Sequence, residues 1–234
     1  MLFKNGLIEN AAEGMDIRVL DGRFAAIAPN LEPQPGEEVI NCIGKLILPP
    51  FIDSHVHLDT CLTAGQPRWN MSGTLFEGIE RWEERKEYLT KEDIKSRVNK
   101  VVRMYAANGV QYVRTHVDIN DPRLTALEAI LELREEVKSF ISIQIVAFPQ
   151  YGILSYPNGR ELLEQSLKMG ADAVGAIPHF EFTREYSVES LNICFELAQK
   201  YGKLIDVHCD EIDDEASRGL ETLAARAYET GMKD

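Results

Sequence analysis

Cysteine is scarce in this chain of 234 residues: four occur, at 42, 61, 194 and 209, and no two share a Cys-x-x-Cys spacing. A chain this long needs no covalent staples, so reduced thiols in a cytoplasmic protein are expected. Positive charge is short as well. Lys plus Arg number 25 against 38 Asp plus Glu, a formal net charge of −13. With no basic patch to offset it, such a surface repels a phosphate backbone, and nucleic acid is not an expected partner. A small neutral substrate remains possible. No apolar run approaches the roughly 20 residues that span a bilayer. Met1–Asn10 lacks the basic start and continuous apolar stretch of a signal peptide, so no membrane partner is expected. What is present, 44% apolar and 27% charged residues, is an ordinary globular composition.

Residues 1–48 read as short strands: Met1–Leu7, Asp16–Leu20, Arg23–Ala28 and Glu38–Leu48, with Asp21-Gly22 as a hairpin signal. This predicts part of a small β-sandwich domain. Residues 49–234 alternate strand and helix. Strands are expected at Ile47–Ser54 (buried), Val110–Asp118, Ile141–Phe148, Ala173–Ile177 and Leu204–His208. An insertion from Leu58 to about Thr90 carries a helix near Leu75–Lys86. Helices are then expected from a Thr90 cap to Gly109, over Leu124–Val137, from an Asn158 cap to Met169, from a Ser187 cap to Tyr201, and over Asp213–Thr230. Repeated β-then-α units imply a parallel α/β sheet, either doubly wound or a (β/α)8 barrel, with function at the strands' C-terminal ends. No glycine-rich phosphate loop follows the first of these strands, which disfavours a nucleotide site.

The strand ends hold the informative residues: His55, His116, Gln150, His179 and His208. In Phe51-Ile52-Asp53-Ser54-His55-Val56-His57, the two histidines stand at i and i+2, so both side chains point to the same side of a strand and can chelate one cation. His208, in Ile205-Asp206-Val207-His208-Cys209-Asp210-Glu211, is a candidate third ligand. Glu211 is a candidate proton carrier beside a metal-activated water, or else the solvated start of an acidic helix. Arg114, His116 and Asp118 share one strand face, so an ion-pair network is plausible there. His116 and His179 are expected in supporting or structural roles. Trp69 and Trp82 could cover a pocket, with core packing equally open for Trp82, and Cys209 should pack in the interior.

The Pro49–Asp59 segment resembles the metal strand of the amidohydrolase superfamily, and the chain is similar throughout to bacterial cytosine deaminases. The similarity is carried by Ala64-Gly65-Gln66-Pro67, Ser72 through Trp82, Val113 through Asp118, Ile145 through Gln150, Gly175 through Arg184, and Ile205 through Glu215. It implies the first five units of a metal-dependent (β/α)8 barrel with one Fe2+ or Zn2+ held by His55, His57 and His208. It also implies Glu211 as the proton shuttle, Gln150 reading the amide edge of a pyrimidine, and Leu75 touching the substrate through its backbone. The implied activity is hydrolytic deamination of a free nucleobase, cytosine plus water giving uracil plus ammonia. Isocytosine, isoguanine and creatinine are alternative substrates, and an inactive half-barrel metal-binding module is the non-catalytic alternative.

The family site also calls for a histidine at the sixth strand end and an aspartate at the eighth. All five histidines are already placed, and at about 30 residues per βα unit three more units need roughly 90 further residues. Activity is therefore expected to need a companion chain or a longer one supplying the other half of the barrel, and a homo-oligomer is possible.

Overall fold

The computed structural model describes residues 1–11 and 13–232. Two compact units meet at the Pro50–Phe51 bond. In the first, strands β1 (Leu2–Gly6), β2 (Met15–Leu20), β3 (Arg23–Ala28) and β4 (Val39–Asn41) form one sheet in the order β3-β2-β1-β4. The Asp21-Gly22 hairpin forms as expected, because both residues adopt the left-handed backbone (φ 50° and 71°) that a tight two-residue turn demands. All four strands fall within residues 1–48, where short strands are expected. Arg18 anchors the sheet, donating from Nε to Glu37 at 2.8 Å, and the Arg18 guanidinium holds the Glu37 carboxyl down to about 2.

The second unit is built on five parallel strands, β5 (Phe51–Val56), β6 (Val110–Asp118), β7 (Ser142–Phe148), β8 (Ala173–Ala176) and β9 (Leu204–Val207), lying in sequence order. A doubly wound sheet reverses its strand order partway across. This one never does, so it is half of a barrel-type wheel. Helices α1 (Leu75–Lys86), α2 (Lys91–Ala107), α3 (Thr125–Val137), α4 (Gly159–Met169), α5 (Arg184–Tyr201) and α6 (Gly219–Thr230) complete the unit. Val98, Val102, Leu127, Ile130, Leu163 and Leu191 are buried in its core, each large side chain worth about 1.5–3 kcal/mol of burial.

Four expectations need correction. The first strand of this unit runs Phe51–Val56, not Ile47–Ser54, and it is not buried. As an edge strand it leaves Phe51 58% and Ile52 71% exposed. Helix α5 is capped by Thr183, whose hydroxyl accepts the Tyr186 N–H, so Ser187 falls within the first turn. Asn158 precedes α4 in a left-handed conformation without capping it through its side chain. Helix α6 starts at Gly219, not Asp213. The Asp210 carboxylate accepts the N–H groups of Gly219 and Leu220 at 2.8 and 3.0 Å and holds the acidic run 213–215 in the preceding loop. Among the described residues, no helix is long and apolar enough to cross a membrane.

Candidate metal centre

Strand geometry concentrates the histidines. His55 and His57 leave the end of β5 two residues apart, and His116 sits inside β6. His208 follows β9, its N–H donating to Ala176 O at 3.0 Å and so extending the ladder by one residue. Parallel strands in register bring all four imidazoles together, with ring centroids from 4.4 Å (His55–His116) to 5.4 Å (His55–His57). One ring nitrogen from each of His55, His57 and His116 falls within 4.8 Å of the others. Phe148 closes one side, its ring 4.3 Å from that of His208.

This donor set suits a divalent cation. His57 Nε2 and His208 Nε2 are 3.3 Å apart. Two imidazole nitrogens bound to one tetrahedral cation at about 2.0–2.1 Å stand about 3.3–3.4 Å from each other. The Nδ1 atoms of His116 and His208 are buried with no hydrogen-bond partner. Burial, reinforced by the neighbouring imidazoles, pushes His57 and His208 down to about 3, and burial lowers His55 as well. Each of these three rings is therefore a neutral, lone-pair-bearing ligand at ordinary pH.

The other expected residues divide around this cluster. Gln150 and Leu75 line one cavity of about 630 Å³ with His57, Trp69 and Trp82. Trp82 is thus both cavity wall and core residue, whereas Trp69 is 64% exposed. Glu211 is exposed in the loop after β9, near enough for its charge to act on His55 and His179. His179, in the short turn Pro178–Phe180, lines a separate cavity of about 240 Å³, and both its ring nitrogens are buried without partners. Cys209 is half-buried, not interior.

Of the three residues expected to share a network, Arg114 and His116 are joined through Asp206, whereas Asp118 takes its partners elsewhere. Asp118 Oδ2 accepts the Trp82 indole N–H at 2.8 Å and pairs with Lys86 Nζ at 3.1 Å. Asp118 therefore ties α1, which carries cavity residues, to the end of β6. Asp59 stands behind it, fully buried, accepting the Asp118 N–H at 2.8 Å, and burial raises its carboxyl to about 7. Neither Lys86 nor Asp59 was singled out from the sequence. The one local signal for Asp59 is its i+2 position after His57, which continues the strand alternation. Arg114 and His116 both turn to Asp206.

Comparisons with known proteins agree with this architecture. A family profile described as "Amidohydrolase family" matches residues 38–234. The crystal structure of 5-methylcytosine deaminase from Klebsiella pneumoniae liganded with 5-fluorocytosine is 49% identical with a TM-score of 0.94, covering 99% of this chain and 56% of that one. N-isopropylammelide isopropyl amidohydrolase of Pseudomonas sp. (strain ADP) is 34% identical over 239 residues, 100% of this chain and 59% of that protein. N-isopropylammelide isopropylaminohydrolase from Burkholderia multivorans is 28% identical with a TM-score of 0.83, covering 99% of this chain and 58% of that one. The chain thus spans somewhat over half the length of these relatives. With its five parallel strands in order, its strand-end histidines and a profile match across most of its length, the chain belongs to the amidohydrolase family.

Proposed function

We propose that this chain forms the metal-binding half of a hydrolytic deaminase acting on a free, cytosine-type pyrimidine. The observation that carries the reading is the 3.3 Å approach of His57 Nε2 to His208 Nε2 beside His55 and His116. Fe2+ or Zn2+ fits imidazole donors, and His55, His57 and His208 would hold it. Such an ion would supply Lewis acidity, easing deprotonation of water so that it can attack at ordinary pH.

The chain's own residues supply the rest. Glu211, on a loop anchored by Asp210, takes one proton from the attacking water and passes it to the ring nitrogen, then takes the proton of the hydroxyl newly added to the ring carbon and passes it to the departing amine. Its exposure in this half-barrel suits a group that must reach over a bound ring. The Gln150 amide, offering one donor and one acceptor, reads the N–C=O edge of the base. Leu75 contributes backbone contact, and Trp82 walls the cavity. The net charge of −13 accords with a free base rather than a base in a strand. The pyrimidine assignment draws on the 49%-identical relative described as a 5-methylcytosine deaminase. Full activity needs two groups from outside these five strands, a sixth-strand histidine and an eighth-strand aspartate.

The test is amine release by the intact protein, loaded with Zn2+ or Fe2+: ammonia from cytosine, 5-methylcytosine, isocytosine, isoguanine and creatinine, and isopropylamine from N-isopropylammelide. Turnover is expected to be highest on the cytosine-type rings. Turnover confined to the triazine, or to none of the panel, would reject the pyrimidine assignment.

A further inference from the structure

Between β7 and α4 the chain crosses residues 149–158 without helix or strand, so the backbone N–H groups there must find partners elsewhere. Gln150 stands near the start of this loop, in a turn closed by the Gly152 N–H donating to Pro149 O at 2.9 Å. Three consecutive N–H groups follow, and one carboxylate takes all of them. Glu181, in the loop after β8, accepts on Oε1 the N–H groups of Ile153 at 2.6 Å and Leu154 at 3.3 Å. Its Oε2 accepts the Ser155 N–H at 2.9 Å and the Ser155 hydroxyl at 2.7 Å. Four donors thus meet the roughly four lone-pair sites of an ionised carboxylate, in charge-assisted bonds about twice as strong as neutral ones. The fit is tight: a Cβ on Gly152, whose φ is 85°, would stand 2.7 Å from Glu181 Oε2. Nearer to Gln150, the Tyr151 N–H donates at 2.6 Å to Oδ1 of Asn120, which follows β6. Phe180, beside Glu181, packs its ring 5.8 Å from that of Tyr151 and 6.1 Å from that of Phe76, the neighbour of Leu75.

We propose that Glu181 is a positioning residue for substrate binding: by clamping residues 153–155 it fixes where the Gln150 amide stands in the cavity. Gln150 lines the large cavity with His57 and Leu75. Glu181 lines the separate, smaller one, so its action on a bound ring runs through the loop. A reading group carried on a loop keeps its geometry only when packing and hydrogen bonds fix the backbone beneath it. Without the clamp, four donors lose their acceptor and the turn that carries Gln150 is tethered by Asn120 alone. The inference rests on the reading of Gln150 given above.

The test is steady-state cytosine deamination by the intact, metal-loaded protein, comparing Glu181→Gln, Gln150→Ala and the two together. Glutamine keeps the size of Glu181 but loses one acceptor oxygen and the charge. Misplacing a reading group by an ångström costs up to about 100-fold. Because the Gln150 contact is made in ground and transition states alike, that loss should appear in KM, with kcat changed much less. Added to Gln150→Ala, Glu181→Gln should raise KM no further, since the group it positions is already gone. Ser155→Ala deletes one of the four donors, should act in the same direction by a smaller factor, and carries the test if Glu181→Gln does not fold. An unchanged KM in the folded Glu181 and Ser155 variants would overturn the inference and leave the reading of Gln150 standing. A KM effect that multiplies in full with that of Gln150→Ala would do the same, because it marks a merely structural role. An unchanged KM in Gln150→Ala, or no cytosine turnover by the unsubstituted protein, would overturn both.

Discussion

Lys86→Met isolates the device that fixes the cavity wall. Lys86 lies at the end of α1 and is 9% exposed. Its ammonium contacts Glu83 at 2.6 Å, Asp118 at 3.1 Å and the Asn120 carbonyl at 3.2 Å, and sits 4.5 Å over the Tyr151 ring. Burial opposes its charge, but Asp118 and Glu83 more than compensate and raise its pKa. Methionine keeps the stem and deletes the charge. Asp118, side chain 3% exposed, then keeps its two N–H donors from Trp82 and Asn120 but no cation. Removing one partner of a buried pair costs about 3–5 kcal/mol, whereas replacing both partners together is often close to neutral. For a domain of this size that loss lowers the melting temperature by about 6–20 °C, at 2–4 °C per kcal/mol. Urea unfolding of the intact protein should therefore show a large loss for Lys86→Met and a smaller one for Lys86→Met with Asp118→Asn. That is a favourable coupling in a double-mutant cycle. Equal losses in the single and double variants, or a single-variant loss below about 1 kcal/mol, would refute the claim that this pair holds α1 in place.

Three further outcomes are expected. Glu211→Gln should retain cation binding while ammonia release falls about 10²–10⁴-fold, and equilibrium dialysis beside a turnover assay checks both halves. Gly159→Ala should destabilise, although alanine is the better helix former by about 1 kcal/mol, because its Cβ would stand 2.3 Å from the Ile153 carbonyl oxygen; a rise in melting temperature would contradict that clash. Glu37 is held near 2 by Arg18. The folded unit therefore binds fewer protons at Glu37 than the unfolded chain between about pH 4.5 and 2, and this contribution, full above that window, is lost as pH falls through it. Amide exchange across Met15–Leu20 should accelerate on acidification in the unsubstituted protein, and Glu37→Gln should flatten that dependence.

Much of the site was legible because its logic is local. His55 and His57 share a face through strand alternation, and the Asp21-Gly22 turn and the Thr90 cap depend on neighbours within three residues. Reading failed where two local solutions were equally good. Thr183 and Ser187 are both competent caps four residues apart, and Asp210 reaches nine and ten residues ahead to set the start of α6. It failed again where the partner is remote. Arg114 and Asp206 are 92 residues apart, and nothing in either segment announces the other.

The sequence by itself therefore determined the βα rhythm, the placing of polar residues at strand ends, and the His-x-His pair, since period-two and helical periodicities are written into neighbouring residues. Tertiary structure alone decided that the strands run in unbroken order, as in a barrel wheel. It also decided that His116 joins the imidazole cluster, and that Asp118 serves α1 while Asp206 serves His116. Those outcomes follow from sheet curvature and register, which set distances between residues that the chain itself keeps far apart.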